Sequence, residues 1–358
     1  MSKLVDRIVS GKFTLIAEIG VNYYDIAVER GISNMAAAKL MCREAKDAGI
    51  HAVKFQTYKA ETLAAAESPS YWDTSEEPTT SQRELFRKFD SFGEAEYREI
   101  ADYCSELGID FCSTAFDFES ADYLDSMMDV YKVSSSDLTN LPFIEHQAKK
   151  GKPMIMSVGA GVLDEMKAAV AAVRKWNSEP LVLCHCVLEY PTPYEDANLS
   201  RIQSLKAEFP DLIIGYSDHC KPDTCADVIK TAYVLGAHVV EKHFTLNKTL
   251  PGNDHYHAMD PDDARKIISG VEFVETLLGK ADLGFSETEA AARLNARRSI
   301  VSAVDIPEGA VITEDMLTFK RPGTGISPQD MDKVVGRKAV VPIAEDTTIV
   351  TEMIRMPS

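Results

Sequence analysis

The chain has no run of about 18 apolar residues, so no segment reads as a membrane-spanning helix. Its opening, Met-Ser-Lys-Leu-Val-Asp-Arg, contains no apolar stretch of signal-peptide length. Positive charge is scarce: 38 Lys and Arg stand against 56 Asp and Glu, a formal net charge of −18 over 358 residues. Nucleic-acid binders and proteins docked on anionic lipid both need a basic face, so neither kind of partner is expected. The seven cysteines are odd in number and scattered through apolar or helical stretches, which suits reduced thiols and a cytoplasmic protein rather than a disulfide framework. Two glycine signatures are also missing. No P-loop occurs, and after the first apolar run Gly20 is followed by Val-Asn-Tyr-Tyr-Asp where a dinucleotide fold would carry G-x-G-x-x-G. Cys184-His185-Cys186 and Cys220-x4-Cys225 have neither spacing of a structural zinc site, and small buried hydrophobes are the reading for them.

What is present is alternation. Short β-branched or apolar runs at Thr14–Val21, Ala52–Thr57, Asp110–Ala115, Val130–Ser135, Pro153–Gly159, Leu181–Val187, Leu212–Asp218 and Val239–Phe244 recur about every 32 residues, the length of a β-loop-α unit. Helical patterns lie between them, among them Met35–Ala48, Glu94–Leu107, Glu119–Met127, Asp164–Trp176 and Asp223–Leu235, several followed by a glycine. Eight such units predict a (β/α)8 barrel, with an open doubly wound sheet as the alternative. The connection from Tyr58 to about Asp90 is far longer than usual and is either a surface excursion or a substrate lid or wall. Past Gly284 the chain turns Gly-, Pro- and β-branched-rich. There Ile306–Leu317 echoes Ile343–Ile354 at an offset of 37, with four of twelve positions identical, as a small β-rich domain of two similar halves would. The expected division is a barrel over 1–280, a linker over 281–295 and the small domain over 296–358.

Barrel chemistry sits at the C-terminal strand ends. All eight ends here are polar, carrying Glu18, Lys54 with Gln56, Ser113 with Thr114, Ser134 to Asp137, Ser157, His185 with Glu189 and Tyr190, Ser217 to His219, and Glu241 with His243. His219 and His243 fall on the last two ends with Asp218 and Glu241 beside them, a donor set that suits a divalent ion of the Mn²⁺ kind, although catalytic or packed histidines fit as well. Lys54, Lys132 and Lys242 are cations inside strand sequence, where burial is costly without an anion. They read as a positive focus for an anionic substrate, with Ser113, Ser135, Ser157 and Ser217 as hydrogen-bond donors, or else as partners of Glu18, Asp117 or Glu241.

The blocks IAEIGVN, AVKFQT, FCSTAFD, YKVSSSDLTN, CHCVLEYPTPYED, IIGYSDH, VVEKHFTLNKTLPGNDH, ARRSIVSA and FKRPGTGIS resemble the sialic acid (N-acetylneuraminate) synthase family nearly end to end. The resemblance implies a (β/α)8 TIM barrel followed by a small antifreeze-like (SAF) domain. It implies a transferase that joins phosphoenolpyruvate to the open-chain aldehyde of an N-acetylated hexosamine, such as N-acetylmannosamine or a 2,4-diacetamido-6-deoxy relative, giving a nonulosonate and phosphate. By the same resemblance His219 and His243 bind Mn²⁺, or Mg²⁺ or Co²⁺ in its place. Lys54, Thr114, Lys132, Ser135, Ser157 and Ser217 hold phosphoenolpyruvate. Glu18, Gln56, Tyr190 and Asp254 hold the sugar or move protons, with Glu241 as a further catalytic carboxylate and Asn22 as a further substrate contact. Arg321 reaches the N-acetyl group in the neighbouring subunit's barrel, which implies a domain-swapped homodimer. The segment departs from the family at Tyr23-Tyr24-Asp25, Ala115 and Leu188, all at the expected rim, so the sugar is less defined than the reaction. Pro251 to Asp254 fits the neuraminate or legionaminate type better than the pseudaminate type. The alternatives are another phosphoenolpyruvate-dependent deoxy-ketoacid synthase, which takes a phosphorylated sugar, and a catalytically silent sugar-binding homologue.

Overall fold

The computed structural model describes residues 2–355 except 73, 75, 76 and 253. The chain divides into two compact units between Gly279 and Lys280. In the first, eight parallel strands close into a barrel in sequence order: β1 Thr14–Gly20, β2 Ala52–Thr57, β3 Asp110–Ala115, β4 Tyr131–Val133, β5 Met154–Ser157, β6 Leu181–Cys186, β7 Ile213–Asp218 and β8 Val239–His243. The expected (β/α)8 barrel is therefore present, with β2 and β3 at the residues read from sequence and the other strands one to three residues shorter. The strands are almost wholly buried, as parallel strands covered on both faces must be, which is why they read as continuous apolar runs.

Between strands the helices follow their local signals. Ser33 caps Asn34–Asp47 by accepting from the Ala36 amide, and Gly108 closes Glu94–Leu107 at φ +70°. Tyr23-Tyr24-Asp25 opens a helix of its own, Tyr23–Arg30, whose two tyrosines pack with Phe92. The barrel floor is filled solidly. A Cβ on Gly215 of β7 would stand 2.6 Å from the Val239 carbonyl oxygen and 2.7 Å from Cys184 Sγ, so only glycine fits there. The described cysteines are all unpaired, and only Cys225 is exposed.

The 58–93 connection is held by its own polar ties. Lys59 Nζ donates to the Asp90 and Phe92 carbonyls at 2.6 and 2.8 Å, and the Ala60 amide donates to Asp90 Oδ2 at 3.0 Å. No helix among the described residues is long and apolar enough to cross a membrane.

The second unit carries β9, Ser299–Ser302, antiparallel to β10, Leu317–Lys320. Residues 281–295, read as a linker, include a 3-10 turn at Glu287–Glu289 and the start of a helix, Ala290–Ala296. The sequence echo is also a structural one. Ile306 and Ile343 exchange two backbone hydrogen bonds, at 2.7 and 2.9 Å, and both lie in the small core with Ile312 and Ile349. Corresponding 3-10 turns follow at Glu314–Met316 and Thr351–Met353. Gly309 and its counterpart Asp346 both adopt positive φ, +82° and +62°, a conformation aspartate tolerates better than most residues.

Candidate active site

Side chains alternate across each strand, so the strands sort their own polar residues. Glu18, Lys54, Gln56, Thr114, Lys132, Ser135, Ser157, Ser217, His219, Glu241 and His243 all line one cavity at the C-terminal mouth of the barrel. Lys242 does not. Lying between two inward residues, it points outward and is fully buried against Asp218 Oδ2 and the Cys220 carbonyl, both at 2.6 Å. The expectation of three lysines at the mouth is corrected to two. Ser113 is corrected for the same reason: its hydroxyl faces Thr57 Oγ1 at 2.6 Å, away from the cavity. Asp117 partners neither lysine but caps the Phe118–Leu124 helix. His185 also faces outward, its Nε2 2.7 Å from the Ala197 carbonyl.

The cavity is built around two ammonium and two carboxylate groups. Lys54 Nζ pairs closely with Glu18 Oε2, lies 3.7 Å from Glu241 Oε1, and donates to Thr114 Oγ1 at 2.9 Å. Lys132 Nζ lies 3.6 Å from the same Glu241 oxygen and donates to Ser157 Oγ at 2.8 Å. Gln56 donates to Glu18 Oε1 at 2.8 Å, and Ser217 Oγ donates to Glu241 Oε1 at 3.4 Å. Ser135 Oγ accepts from the Gly159 amide. Burial pushes the Glu18 carboxyl up to about 6, with Glu241 adding to this and Lys54 opposing it. Burial acts on Glu241 too, but Lys132 and Lys54 outweigh it and hold that carboxyl below its ordinary value. The two acids thus differ in proton affinity, as a pair with distinct roles requires.

Beside this ring lies a cluster of imidazoles. His219 Nδ1 is 2.7 Å from the Val187 carbonyl; a carbonyl can only accept, so Nδ1 carries the proton and Nε2 keeps a free lone pair. His243 and His257 stack edge to face at 4.8 Å between centroids, and the ring of His219 is 5.5 Å from His243. Burial lowers His219 to about 4 and both His243 and His257 well below their ordinary value, so all three are neutral near pH 7. Donor atoms of His243, Asp254 and His257 lie within 4.8 Å of one another. His243 Nδ1, both His257 nitrogens and Glu241 Oε2 are buried with no hydrogen-bond partner among the described residues. A divalent ion fits this set: neutral imidazoles and a carboxylate, desolvated and unsatisfied. His257 was missed by the sequence reading. Its only signal is the His255-x-His257 pair in the segment that follows the last strand.

The remaining expected residues border the cavity. The Tyr190 ring lies over His219 at 4.1 Å. Asn22 Nδ2 donates to the Phe244 and Asp254 carbonyls at 3.0 and 3.2 Å, so its amide positions the Asp254 segment. Asp254 is half-buried, and desolvation pushes its carboxyl up to about 6, with His255 opposing and Asp25 adding to this. A second cleft of about 740 Å³, measured to its open mouth, adjoins Tyr190, His243 and Asp254. Its other walls include Asp25, Tyr58, Tyr71, Trp72, Glu77 and Phe86, so the long connection is a wall of the site. Arg321 follows β10 in the second unit and is exposed.

A closed (β/α)8 barrel followed by a small β unit is the architecture of the sialic-acid-type synthases. The chain belongs to the NeuB family, whose model matches residues 41–282, and residues 297–355 match the SAF domain. It is 36% identical over 348 residues to the N,N'-diacetyllegionaminic acid synthase of Legionella pneumophila, covering 95% of this chain and 94% of that one. Identity to the human N-acetylneuraminate-9-phosphate synthase is 34% over 345 residues, covering 95% and 92%. Among solved structures, the N-acetylneuraminic acid synthetase of Leptospira borgpetersenii, in complex with citrate, superposes with a TM-score of 0.67 at 29% identity, over 78% of this chain and 90% of that one.

Proposed function

We propose that the protein is a nonulosonate synthase that condenses phosphoenolpyruvate with the open-chain aldehyde of an uncharged N-acylated aminohexose and releases phosphate. The observation that carries this reading is the buried ring of Lys54, Lys132, Glu18 and Glu241 beside the imidazole cluster. Lys54 and Lys132, with Thr114, Ser135, Ser157 and Ser217, would hold the phosphate and carboxylate of phosphoenolpyruvate. The enol electron pair forms the bond from C3 to the aldehyde carbon, the aldehyde oxygen takes a proton, and C2 becomes an oxocarbenium. Glu241, kept ionised by both lysines, faces that cation. Water adds to C2 and gives its proton to Glu18, whose raised proton affinity suits a base near neutrality. The C2–O bond to phosphate then breaks as the C2 hydroxyl passes its proton to the departing phosphate oxygen, leaving a ketone and hydrogen phosphate. His219 and His243, with Asp254, would hold a divalent ion, Mn²⁺ by donor type with Mg²⁺ and Co²⁺ as alternatives. When bound, such an ion supplies Lewis-acid polarisation of the aldehyde oxygen.

The adjoining cleft favours a neutral sugar. Its walls are largely aromatic and acidic, with Asp25, Glu77 and Asp254, and no Lys or Arg lines it among the described residues. Lys88, the near cation, is tied to Glu77 Oε1 at 3.0 Å. N-acetylmannosamine or a 2,4-diacetamido-6-deoxy hexose fits such walls better than a sugar phosphate, which weighs against a deoxy-ketoacid synthase that needs one. We read the active assembly as a domain-swapped homodimer in which Arg321 of one chain meets the N-acyl group bound by the other. Exposed Phe273, Leu277, Leu278 and Leu283 are apolar surface that an assembly would cover. Unpaired cysteines fit a reducing cytoplasm.

The test is phosphate release from phosphoenolpyruvate and Mn²⁺ with a panel of N-acylated hexoses. Release with at least one is expected. No release with any of them, while the protein is folded and binds the ion, would favour the silent homologue.

A further inference from the structure

After β8 the chain leaves the barrel and returns to the same point. The Met259 amide donates to the His243 carbonyl at 2.8 Å and the Thr245 amide to the Met259 carbonyl at 3.0 Å, so the intervening residues form a loop clasped at the strand end. That loop delivers His257 into the barrel mouth. Its ring is wholly buried, 4.8 Å from His243 and 6.1 Å from His219 between centroids, and neither nitrogen has a hydrogen-bond partner among the described residues. Leaving a buried polar group unsatisfied is destabilising. A site that carries three such buried, unpartnered nitrogens next to a carboxylate is organised for something that accepts lone pairs.

We propose that His257 is a third imidazole ligand, so that the ion is held by His219, His243, His257 and the Asp254 carboxylate. This inference rests on the metal-holding reading above and deepens it. Bonds of about 2.1 Å place neighbouring donor atoms roughly 3.0–3.4 Å apart. The 4.8 Å span of His243, Asp254 and His257 therefore closes by more than an ångström when the ion enters. Donor type then sets the choice of ion. Imidazole suits Fe²⁺, Co²⁺, Ni²⁺ and Zn²⁺, whereas Mg²⁺ keeps oxygen ligands and water. A three-imidazole site discriminates strongly against Mg²⁺ and holds Co²⁺ or Zn²⁺ more tightly than Mn²⁺.

The experiment uses the full-length protein, stripped with a chelator and reloaded without substrate. Pulsed electron paramagnetic resonance of the Mn²⁺ form counts coordinated imidazole nitrogens, and competition with a chromophoric chelator gives the Co²⁺ dissociation constant. Expected are three nitrogens in wild type and two in His257→Ala, with Co²⁺ affinity about 100-fold weaker in the variant. His257→Gln is the reserve should His257→Ala misfold, and the wild-type count decides the matter by itself. Two nitrogens in wild type, or equal counts and affinities in both proteins, overturn the ligand assignment even if turnover is observed. Uptake of no divalent ion by wild type overturns it together with the metal-holding reading.

Discussion

Lys132 on β4 and Glu241 on β8 stand 3.6 Å apart although their strands are opposite one another in the eight-stranded ring. The same Glu241 oxygen faces Lys54 at 3.7 Å. One carboxylate thus spans the barrel and neutralises two ammonium groups. Glu241→Gln leaves those two cations with Glu18 alone. The expected outcome is a kcat lower by about 10²–10⁴. The substrate-free Tm also falls, and phosphoenolpyruvate raises it by more than in wild type because the ligand replaces the missing charge. Turnover assays and thermal melts with and without phosphoenolpyruvate check both parts. An unchanged kcat would remove Glu241 from the catalytic set.

Lys242 should behave in the opposite way. It is buried outside the cavity with Asp218, so Lys242→Met leaves an unpaired internal carboxylate, at a cost of about 3–5 kcal/mol, without touching substrate. A Tm lower by several degrees with kcat within about two-fold of wild type is expected. A large fall in kcat in the folded variant would contradict the outward placement.

At the base of β1, the Leu15 amide donates to His51 Nδ1 at 2.9 Å. Burial lowers this imidazole to about 4 from an ordinary value near 6.5, with Arg7 adding to the effect. A depressed histidine means that the unfolded chain binds more protons than the folded one between these values, so stability rises with pH there. His51 accordingly contributes fully above about pH 6.5, and its contribution of up to about 3 kcal/mol is lost as pH falls toward 4. His51→Gln should flatten this part of the Tm-against-pH curve. An unaltered slope between pH 6.5 and 4 would show that other groups produce it.

The swapped homodimer we propose makes a prediction about mixtures. Arg321→Ala should raise KM for the sugar by about ten-fold or more and leave KM for phosphoenolpyruvate near wild type, as loss of one charge-assisted contact would. Subunit exchange between Arg321→Ala and His243→Ala homodimers should restore activity, because a mixed dimer pairs an intact barrel with an intact Arg321. Mixtures no more active than the Arg321→Ala parent would argue for a site completed within one chain.

Much of the barrel was legible because most strands are short β-branched or apolar runs with polar residues at or near their C-terminal ends, and strand order follows from the β-loop-α rhythm. Inward and outward faces were harder, although the period of two holds the answer: if Glu241 and His243 look inward, Lys242 cannot. Ser113 was misplaced for the same reason, standing beside Thr114. His257 was beyond local reasoning. Its place depends on the Met259 amide finding the His243 carbonyl across sixteen residues, a pairing that no periodicity announces. The aromatic wall from Tyr58 to Phe89 was visible as an overlong connection, but which rings face the cleft is decided by ties such as Lys59 to the Asp90 carbonyl.

The twofold echo in the second unit has a consequence for its motions. Ile306 and Ile343 are hydrogen-bonded to each other, and each half buries its isoleucines against the other half. Neither half can open without uncovering its twin, so fraying from one end is not available to this unit as it is to an ordinary hairpin. The amides of Ile306 and Ile343 should therefore exchange with deuterium at one common rate, set by the opening of the whole unit.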